Sequence, residues 1–223
     1  VDEVAVQQTL RLKRKDLQEL LNRTQFSMAQ QDVRYYLNGL LFETNGKTLR
    51  AVATDGHRLA QSELNMDDEA QRNEQIIVPR KGVLELQRLL EGEGSVDLTL
   101  GTKHIQAQIE NIRFTSKLID GKFPDYGRVV PEEPQNIVLA DRGLLCQALQ
   151  RAAILSNEKY RGVRLALSNN NVTIQANNPE QEEAEESVEV DYTGEGMEIG
   201  FNVTYLQGKI FNLVQNNFFP HQR

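Results

Sequence analysis

The sequence repeats one order of elements, a strand, a helix and three strands, and this repeat constrains the fold more than any other feature. Leucines at helical spacing after an alternating strand predict a helix over 13–27. Short extended patterns follow from Tyr35 and are split at Asn45-Gly46, a dipeptide typical of a tight hairpin turn. The same order then begins again, with a helix over 80–90 and three more strands. Two copies of one half-domain therefore predict an α+β unit rich in antiparallel sheet.

A segment rich in proline and glycine, residues 118–136, predicts a division into two domains. We expect a complete domain over 1–130 and a truncated domain over 131–223. The second domain starts the repeat a third time, with a helix over 141–155. A fourth copy begins with a possible helix within 200–215, and no strands are predicted after it. The sequence thus predicts one full unit and one partial unit of the same kind.

The net charge of -7 argues at first against nucleic acid, whose phosphates attract basic surfaces. The three predicted helices, however, hold nine Lys and Arg against four Asp and Glu. A chain that presents its helices to DNA could be acidic overall and still attract phosphates locally. A chance excess of cations on short solvated helices is the alternative. The single cysteine, Cys146, excludes an internal disulfide, and no apolar run is long enough for a membrane helix, so we expect a cytoplasmic protein.

The sequence TDGHRL places Asp55, His57 and Arg58 together and could indicate acid–base chemistry. No nucleophile with an orienting partner accompanies them, and His104 and His221 lie in unrelated patterns. No acidic residues show metal-ligand spacing. We therefore predict no enzyme activity, no metal and no cofactor. The opposing hypothesis, a small hydrolase, requires a turnover that His57→Ala would abolish.

Several segments, in order, closely resemble the DNA polymerase III beta subunit family, the bacterial sliding clamps. They include FSMAQQDVRYYLNGLLFET, IIVPRKGVLEL, FTSKLIDGKFPDY and RAAILSNEKYRGVRL, and the match runs from about Leu10 to Tyr205. The resemblance implies the DNA-clamp fold, with antiparallel sheets outside and helices facing DNA. It also implies a subunit of three domains, of which this chain would hold the second and the first part of the third.

The resemblance implies a processivity factor that encircles duplex DNA without reading its sequence. Its other partners would be the replicative polymerase, the clamp loader and repair polymerases, which would dock through short peptides. In the family two subunits form a homodimeric ring, which we do not expect this chain to close alone. The alternative is an interaction module that does not encircle DNA but competes for clamp-binding peptides.

The residues that the resemblance places toward DNA are Gln31, Arg34, Tyr35, Tyr36, Arg80 and Lys81. A cation beside aromatic rings is typical of sites that hold a nucleic-acid backbone, although paired tyrosines also begin many sheet strands. Arg80 and Lys81 follow Pro79 at the predicted start of a helix, where exposed cations can touch phosphates. Such contacts are independent of sequence, as sliding requires.

The resemblance further implies an apolar peptide pocket between the second and third domains. Its residues would be Leu37, Thr54, Gly56, His57, Arg58, Leu59, Pro124, Arg128, Val129, Tyr160, Asn202 and Tyr205. The pocket would receive peptides with leucine and phenylalanine anchors.

The third-domain face of the subunit interface would include Ile154, Leu155, Glu182, Glu183, Glu185 and Glu186. By composition alone the acidic run predicts a solvated loop, and both interpretations can hold.

Overall fold

The computed structural model describes residues 6–130 and 136–212 and divides into two compact units, Val1–Asp125 and Tyr126–Arg223. His221 and the last residues of the helix predicted within 200–215 lie outside the described residues. Within the described ranges, no helix is long and apolar enough to cross a membrane.

The first unit contains two copies of the predicted half-domain. The first copy comprises β1 (Val6–Lys13), α1 (Arg14–Asn22), β2 (Gly39–Asn45), β3 (Thr48–Thr54) and β4 (Leu59–Asn65). The second comprises β5 (Gln75–Pro79), α2 (Arg80–Leu89), β6 (Ser95–Gly101), β7 (His104–Ile109) and β8 (Ile112–Lys117). The predicted order of elements is confirmed, and so is the β2–β3 hairpin, which turns at Gly46 with a φ of 54°.

The two copies exchange their first strands. One antiparallel sheet has the order β1-β6-β7-β8, and the other has the order β4-β3-β2-β5. Each sheet thus takes three strands from one copy and one from the other. Apolar residues from both sheets and both helices form one buried core, so neither copy can close its core alone.

Two details of the predicted elements were wrong. The helix predicted over 13–27 ends at Asn22 and is followed by a 3₁₀ turn, Gln25–Ser27, because the Thr24 hydroxyl bonds back to the Leu20 carbonyl. The segment at Tyr35 is a 3₁₀ turn, Tyr35–Asn38, and not the start of a strand. Burial of Leu37 outweighs the strand preference of the tyrosines in that turn.

The second unit has a single five-stranded antiparallel sheet in its described part. Its elements are the 3₁₀ turn Tyr126–Arg128, then β9 (Leu139–Ala140), α3 (Arg142–Ile154), β10 (Gly162–Ser168), β11 (Asn171–Asn177), β12 (Glu183–Asp191), β13 (Met197–Asn202) and α4 (Val203–Asn212). The sheet order is β13-β10-β11-β12-β9, and α3 packs on its inner face. Cys146 is buried in α3, and burial raises the pKa of its thiol.

One further prediction for the second unit is confirmed and another was wrong. The pattern of residues 183–194 predicts a strand, and the second half of the acidic run lies in β12, where Ala184, Val188 and Val190 alternate with the acidic residues and face the core side. Gly200–Asn202 are the end of β13 rather than part of a helix. The helix starts at Val203 because the Asn202 side chain caps it, accepting from the Thr204 N–H at 2.9 Å.

Candidate functional site

The turn between β3 and β4 is held by the Asp55 carboxylate. One of its oxygens accepts from the backbone N–H groups of His57 and Arg58, both at 3.0 Å, and the other accepts from the Arg58 side chain at 3.1 Å. The Arg58 guanidinium also donates to the Phe26 carbonyl at 2.8 Å and lies over the Phe26 ring. Gly56 has a φ of 87°. The turn is therefore a fixed structure that exposes Gly56 and His57.

This geometry gives Asp55 a structural role. Its oxygens hold backbone and Arg58 donors, so the carboxylate is not positioned as the base of a nucleophile. No group of three or more His, Cys, Asp or Glu side chains in the described ranges could hold a metal ion.

Arg34 joins the predicted DNA-facing loop to this turn. Its guanidinium pairs with the Asp32 carboxylate at 2.8 Å and lies 2.9 Å from the position that a Cβ on Gly56 would occupy. The side-chain hydrogen bond from Arg34 lowers the pKa of Asp32 to about 2, and the bond from the Arg34 backbone N–H adds to the effect. Arg34 thus stands beside two of the predicted surfaces within one unit.

The remaining aromatic residues of the loop form a compact pair. The Tyr35 and Tyr36 rings meet edge to face, with centroids 5.8 Å apart, and the Tyr35 ring lies 3.4 Å from the position that a Cβ on Gly121 would occupy. Tyr35 is 58% exposed, whereas Leu37, a predicted pocket residue, is 2% exposed. Leu37 therefore packs beneath the exposed side chains of the loop. Gln31, at the start of the loop, has a φ of 58° and is exposed.

Arg80 and Lys81 are the first residues of α2, as predicted. Pro79, the N-cap residue, provides no side-chain cap, and the first turn contains no acidic residue. Two cations at the positive end of a helix dipole are unfavourable by themselves, and an anion at that end would stabilise them. Within the described ranges, Lys13, Lys15, Arg80 and Lys81 have no carboxylate within ion-pair distance.

Other helix cations contribute less to the surface charge than their number predicts. Arg23, Arg88 and Arg151 pair with Glu19, Glu85 and Glu186. Arg14 is buried: its guanidinium donates to the carbonyls of Leu89, Glu91 and Glu93 and to the Glu110 carboxylate. Arg14 is therefore not a surface cation, as its place in the predicted helix suggested, but binds the C-terminal end of α2. Lys13, Lys15, Arg80 and Lys81, which lack such ion pairs within the described ranges, lie at the N-termini of α1 and α2.

In the second unit, the side chain of Asn202 organises the neighbouring predicted pocket residue. Its amide donates to the Tyr160 carbonyl at 3.1 Å, in addition to capping α4. Tyr160 is 66% exposed, and the Lys159 ammonium lies 5.2 Å from the centre of its ring. Tyr205 is half-buried on α4, and Arg128 and Val129 are exposed at the 3₁₀ turn that opens the unit.

The remaining pocket residues lie in the first unit, where Thr54 and Leu59 flank the β3–β4 turn and Pro124 is exposed.

The predicted interface residues form an acidic edge near an exposed apolar helix end. Ile154 is 77% exposed at the end of α3, followed by the half-buried Leu155. Arg151 donates two hydrogen bonds of 2.8 Å to Glu186, and this bonding lowers the pKa of the Glu186 carboxyl. The other acidic residues are exposed: Glu182, Glu183 and Glu185. Glu186 is therefore already paired within the unit.

Interlocked half-domain repeats with cations at exposed helix N-termini define a protein of the DNA-clamp fold class. The family model for the DNA polymerase III beta subunit, central domain, matches residues 11–125, and that for its C-terminal domain matches residues 127–217. The chain belongs to the DNA polymerase III beta subunit family, the bacterial sliding clamps.

Related proteins and solved structures support the same family assignment. The beta sliding clamp of Pseudomonas aeruginosa is 61% identical over 191 residues, which are 85% of this chain and 52% of that protein. The clamp of Escherichia coli K12 is 56% identical over the same shares. A crystal structure of the P. aeruginosa subunit superposes with a TM-score of 0.93 at 55% identity, covering 96% of this chain and 59% of that one. The chain thus spans about half the length of the relatives that it matches. A P. aeruginosa clamp bound to griselimycin matches equally well.

Proposed function

We propose that this chain is part of a replication clamp, a polymerase processivity factor without chemistry of its own. The observation that carries the proposal is the family membership, supported by the half-buried Arg80 and the exposed Lys81 at the uncapped start of α2. In the whole protein, two subunits would form a ring around duplex DNA in the cytoplasm. The acidic edge of β12 and the apolar end of α3 would belong to its subunit interface.

The proposed DNA contacts use the α1–α2 pair. The C-terminal end of α2 packs along α1, since Arg14 at the start of α1 bonds to the Leu89 carbonyl and Asn22 at the end of α1 contacts Gln87. Lys13 and Lys15 lie at the N-terminus of α1, and Arg80 and Lys81 lie at the N-terminus of α2. The two helix N-termini would thus supply two groups of cations for phosphate contacts. Gln31, Arg34, Tyr35 and Tyr36 would add contacts beside α2.

The DNA contacts are tested by the salt dependence of duplex binding, measured by fluorescence anisotropy. The double variant Arg80→Ala/Lys81→Ala should lower the slope of log K against log salt by about 2, because two phosphate contacts are lost. Lys103→Ala, an exposed lysine on the β6–β7 turn, is the matched control and should leave the slope unchanged. An unchanged slope in the double variant, or a preference for one sequence, would contradict the proposal.

The proposed partner site uses the fixed turn at Thr54–Leu59, together with Leu37 and Pro124, in the first unit. Arg128, Val129, Tyr160, Asn202 and Tyr205 would complete it from the second unit. Peptides from the replicative polymerase, the clamp loader and repair polymerases would dock there through leucine and phenylalanine anchors. The turn suits this role because its own hydrogen bonds fix Gly56 and His57 before a peptide binds, which lowers the entropy cost of binding.

A titration of the isotope-labelled chain with such an anchored peptide, followed by two-dimensional amide NMR, tests the partner site. We expect saturable shifts at His57, Arg58 and Arg128, and weaker binding for His57→Ala. Arg113→Ala, on exposed β8, is the control and should bind as the unchanged chain does. A dispersed spectrum without shifts would remove peptide docking from the proposal.

An interaction module that binds clamp peptides without encircling DNA is the second candidate. The ion pairs of Arg23, Arg88 and Arg151 favour it, because they leave fewer cations to attract phosphates. Peptide shifts together with no measurable duplex binding at low salt would select this candidate.

A further inference from the structure

The exposed loop that contains Arg34 has a shape fixed by its own hydrogen bonds. The Asp32 N–H donates to the Asn38 side-chain oxygen at 2.9 Å, and the Asn38 side-chain amide donates back to the Asp32 carbonyl at 2.8 Å. The Leu37 N–H also bonds to the Arg34 carbonyl at 2.8 Å. Because Asn38 holds the backbone of Asp32 from both sides, the position of the Asp32 carboxylate is set before any ligand binds.

The Asp32 carboxylate binds three donors of Arg34. One oxygen accepts from the Arg34 backbone N–H at 2.8 Å and from its Nε at 3.0 Å, and the other accepts from Nη2 at 2.8 Å. The side-chain bonds, followed by the backbone bond, lower the pKa of the Asp32 carboxyl to about 2, so the carboxylate is charged at neutral pH. Arginine binds a phosphate through the same parallel N–H groups. In the free chain, Asp32 therefore occupies the edge of Arg34 that a DNA phosphate would bind.

This ion pair lies at the surface, where it can open. A second acceptor near Arg34 Nη2, the Asp55 carbonyl, lies 3.5 Å away, which is long for a hydrogen bond, so Asp32 is the main partner. The Arg34 and Asp32 side chains are 48% and 22% exposed, and water weakens an ion pair at such a surface. Arg34 can therefore exchange the carboxylate for a phosphate at small cost.

The residues on both sides of Arg34 are open to an approaching phosphate, since Val33 is 95% exposed and Tyr35 is 58% exposed. A phosphate that binds Arg34 would lie close to the displaced Asp32 carboxylate, and the two negative charges would repel each other. Within the described ranges, Lys81 has no carboxylate at ion-pair distance and meets no such competition. The phosphate contact of Arg34 is thus weaker than that of an unopposed cation.

A weakened contact suits a protein that moves along DNA, because each step requires the release of a bound phosphate. For an unopposed cation, release leaves the charge without a partner in the protein. Arg34 instead returns to a carboxylate that the loop already holds within reach. This internal partner replaces the bond that is lost, so it lowers the cost of release.

We propose that Asp32 competes with DNA phosphates for Arg34 and thereby sets how tightly this loop holds the backbone of duplex DNA. Asp32 is a positioning residue, since it acts through Arg34 and does not itself bind DNA. The inference rests on the DNA-contact part of the proposed function and deepens it by adding a residue that regulates the contact.

The salt dependence of duplex binding by the full chain, measured by fluorescence anisotropy, tests this role. Asp32→Asn retains an oxygen that can accept from the Arg34 N–H but removes the charge that holds the guanidinium. The slope of log K against log salt should become larger in magnitude by about 1, because Arg34 then binds a phosphate throughout. The association constant at about 50 mM salt should rise at least about threefold. The amide peaks of Arg34 and Asn38 report whether the loop remains folded.

Asp120→Asn is the matched control for the loss of one negative charge. Asp120 is exposed and lies beside the same loop, because the next residue, Gly121, faces the Tyr35 ring. Its replacement should leave the slope unchanged and alter the association constant less than about twofold, since salt screens its general repulsion of DNA.

A double-mutant cycle separates competition for Arg34 from simple repulsion between Asp32 and DNA. In an Arg34→Gln background, Asp32→Asn should leave the slope unchanged and raise the association constant less than about twofold, because no guanidinium is released. Simple repulsion would give the same gain in both backgrounds.

The outcomes also separate this inference from the proposed function. An unchanged slope in Asp32→Asn, or an equal gain in Asp120→Asn or in the Arg34→Gln background, overturns the role of Asp32 even if Arg80→Ala/Lys81→Ala lowers the slope as expected. A gain that requires Arg34, with no effect of the Arg80→Ala/Lys81→Ala variant, supports the role of Asp32 and counts against the contacts of α2. Failure of both the unchanged chain and Asp32→Asn to bind duplex at low salt overturns both.

Discussion

The two units carry the same strand-to-helix junction in different surroundings. Val78 and Ile76 on β5 are 0% and 7% exposed, whereas their equivalents Phe201 and Ile199 on β13 are 41% and 37% exposed. Local pairing is the same, since Val78 lies opposite Leu40 just as Phe201 lies opposite Val163. The difference therefore does not arise in the sheet that contains the strand.

The sheet β1-β6-β7-β8 accounts for the difference. In the first unit it shares one core with β5, so the first strand of a copy is buried by the strands that follow its own helix. In residues 136–212 one sheet is present, and the inner face of β13 is covered on fewer sides. Burial in this architecture depends on the opposite sheet more than on the strand's own sequence.

The largest expected effect is a contrast between matched carboxylates. Val78→Asp should destabilise the first unit by about 4 kcal/mol or more, because the charge would be buried without a partner. Phe201→Asp should cost the second unit less than about 2 kcal/mol, because its carboxylate reaches water. Urea unfolding followed on the amide peaks of each unit measures both. Val6→Asp, at a position 63% exposed, is the control, and equal losses of stability in Val78→Asp and Phe201→Asp would break the comparison.

The next largest effect is the difference in stability lost when the arginines that begin α1 and α3 are replaced. Arg14→Met should destabilise the first unit by about 3 kcal/mol, because carbonyls at the end of α2 and the Glu110 carboxylate lose their donor. Arg142→Met, at an exposed position, should cost less than about 0.5 kcal/mol. The same urea experiment serves here. A small effect of Arg14→Met would mean that water donates to the α2 carbonyls once the guanidinium is removed.

Two glycine-to-alanine substitutions should change stability by smaller amounts and in opposite directions. Gly56→Ala should cost about 1.5 kcal/mol, because a φ of 87° strains an alanine and its Cβ would displace Arg34. Gly200→Ala should stabilise the second unit by up to about 0.5 kcal/mol, because alanine suits a strand better than glycine and meets open space. Thermal unfolding of both variants measures the difference, and a loss of stability in Gly200→Ala would contradict it.

The smallest effect is the pH dependence of the Asp32–Arg34 pair. The folded-state pKa of Asp32, about 2, lies below the ordinary aspartate value of 3.8, so the pair's contribution to stability is present above about pH 4 and is lost as the pH falls toward 2. Carboxyl NMR titration should give a midpoint near 2 that rises in Arg34→Gln. If Arg34→Gln leaves the midpoint unchanged, the hydrogen bond from Arg34 is not the cause of the low pKa of Asp32.

Sequence reasoning predicted the order of elements well because periodicity and turn residues are local signals. It missed the 3₁₀ turn at Tyr35, where burial of Leu37 outweighed the strand preference of the tyrosines. The buried role of Arg14 was equally inaccessible, since its acceptors are carbonyls more than 70 residues away.

The candidate sites came from the family resemblance rather than from the residues. Asp55, for example, appears as an acid–base candidate in the sequence, and only coordinates reveal that it holds a turn.

Native-state hydrogen exchange at the amides of Val78 and Phe201 tests the central claim most directly. Both amides lie in equivalent ladder positions, so their exchange rates differ only through the stability of the surroundings. We predict that Val78 exchanges only when the first unit unfolds, at least about 100-fold more slowly than Phe201. Equal protection of the two amides, or slower exchange at Phe201, would contradict the claim that the opposite sheet determines the burial of these strands.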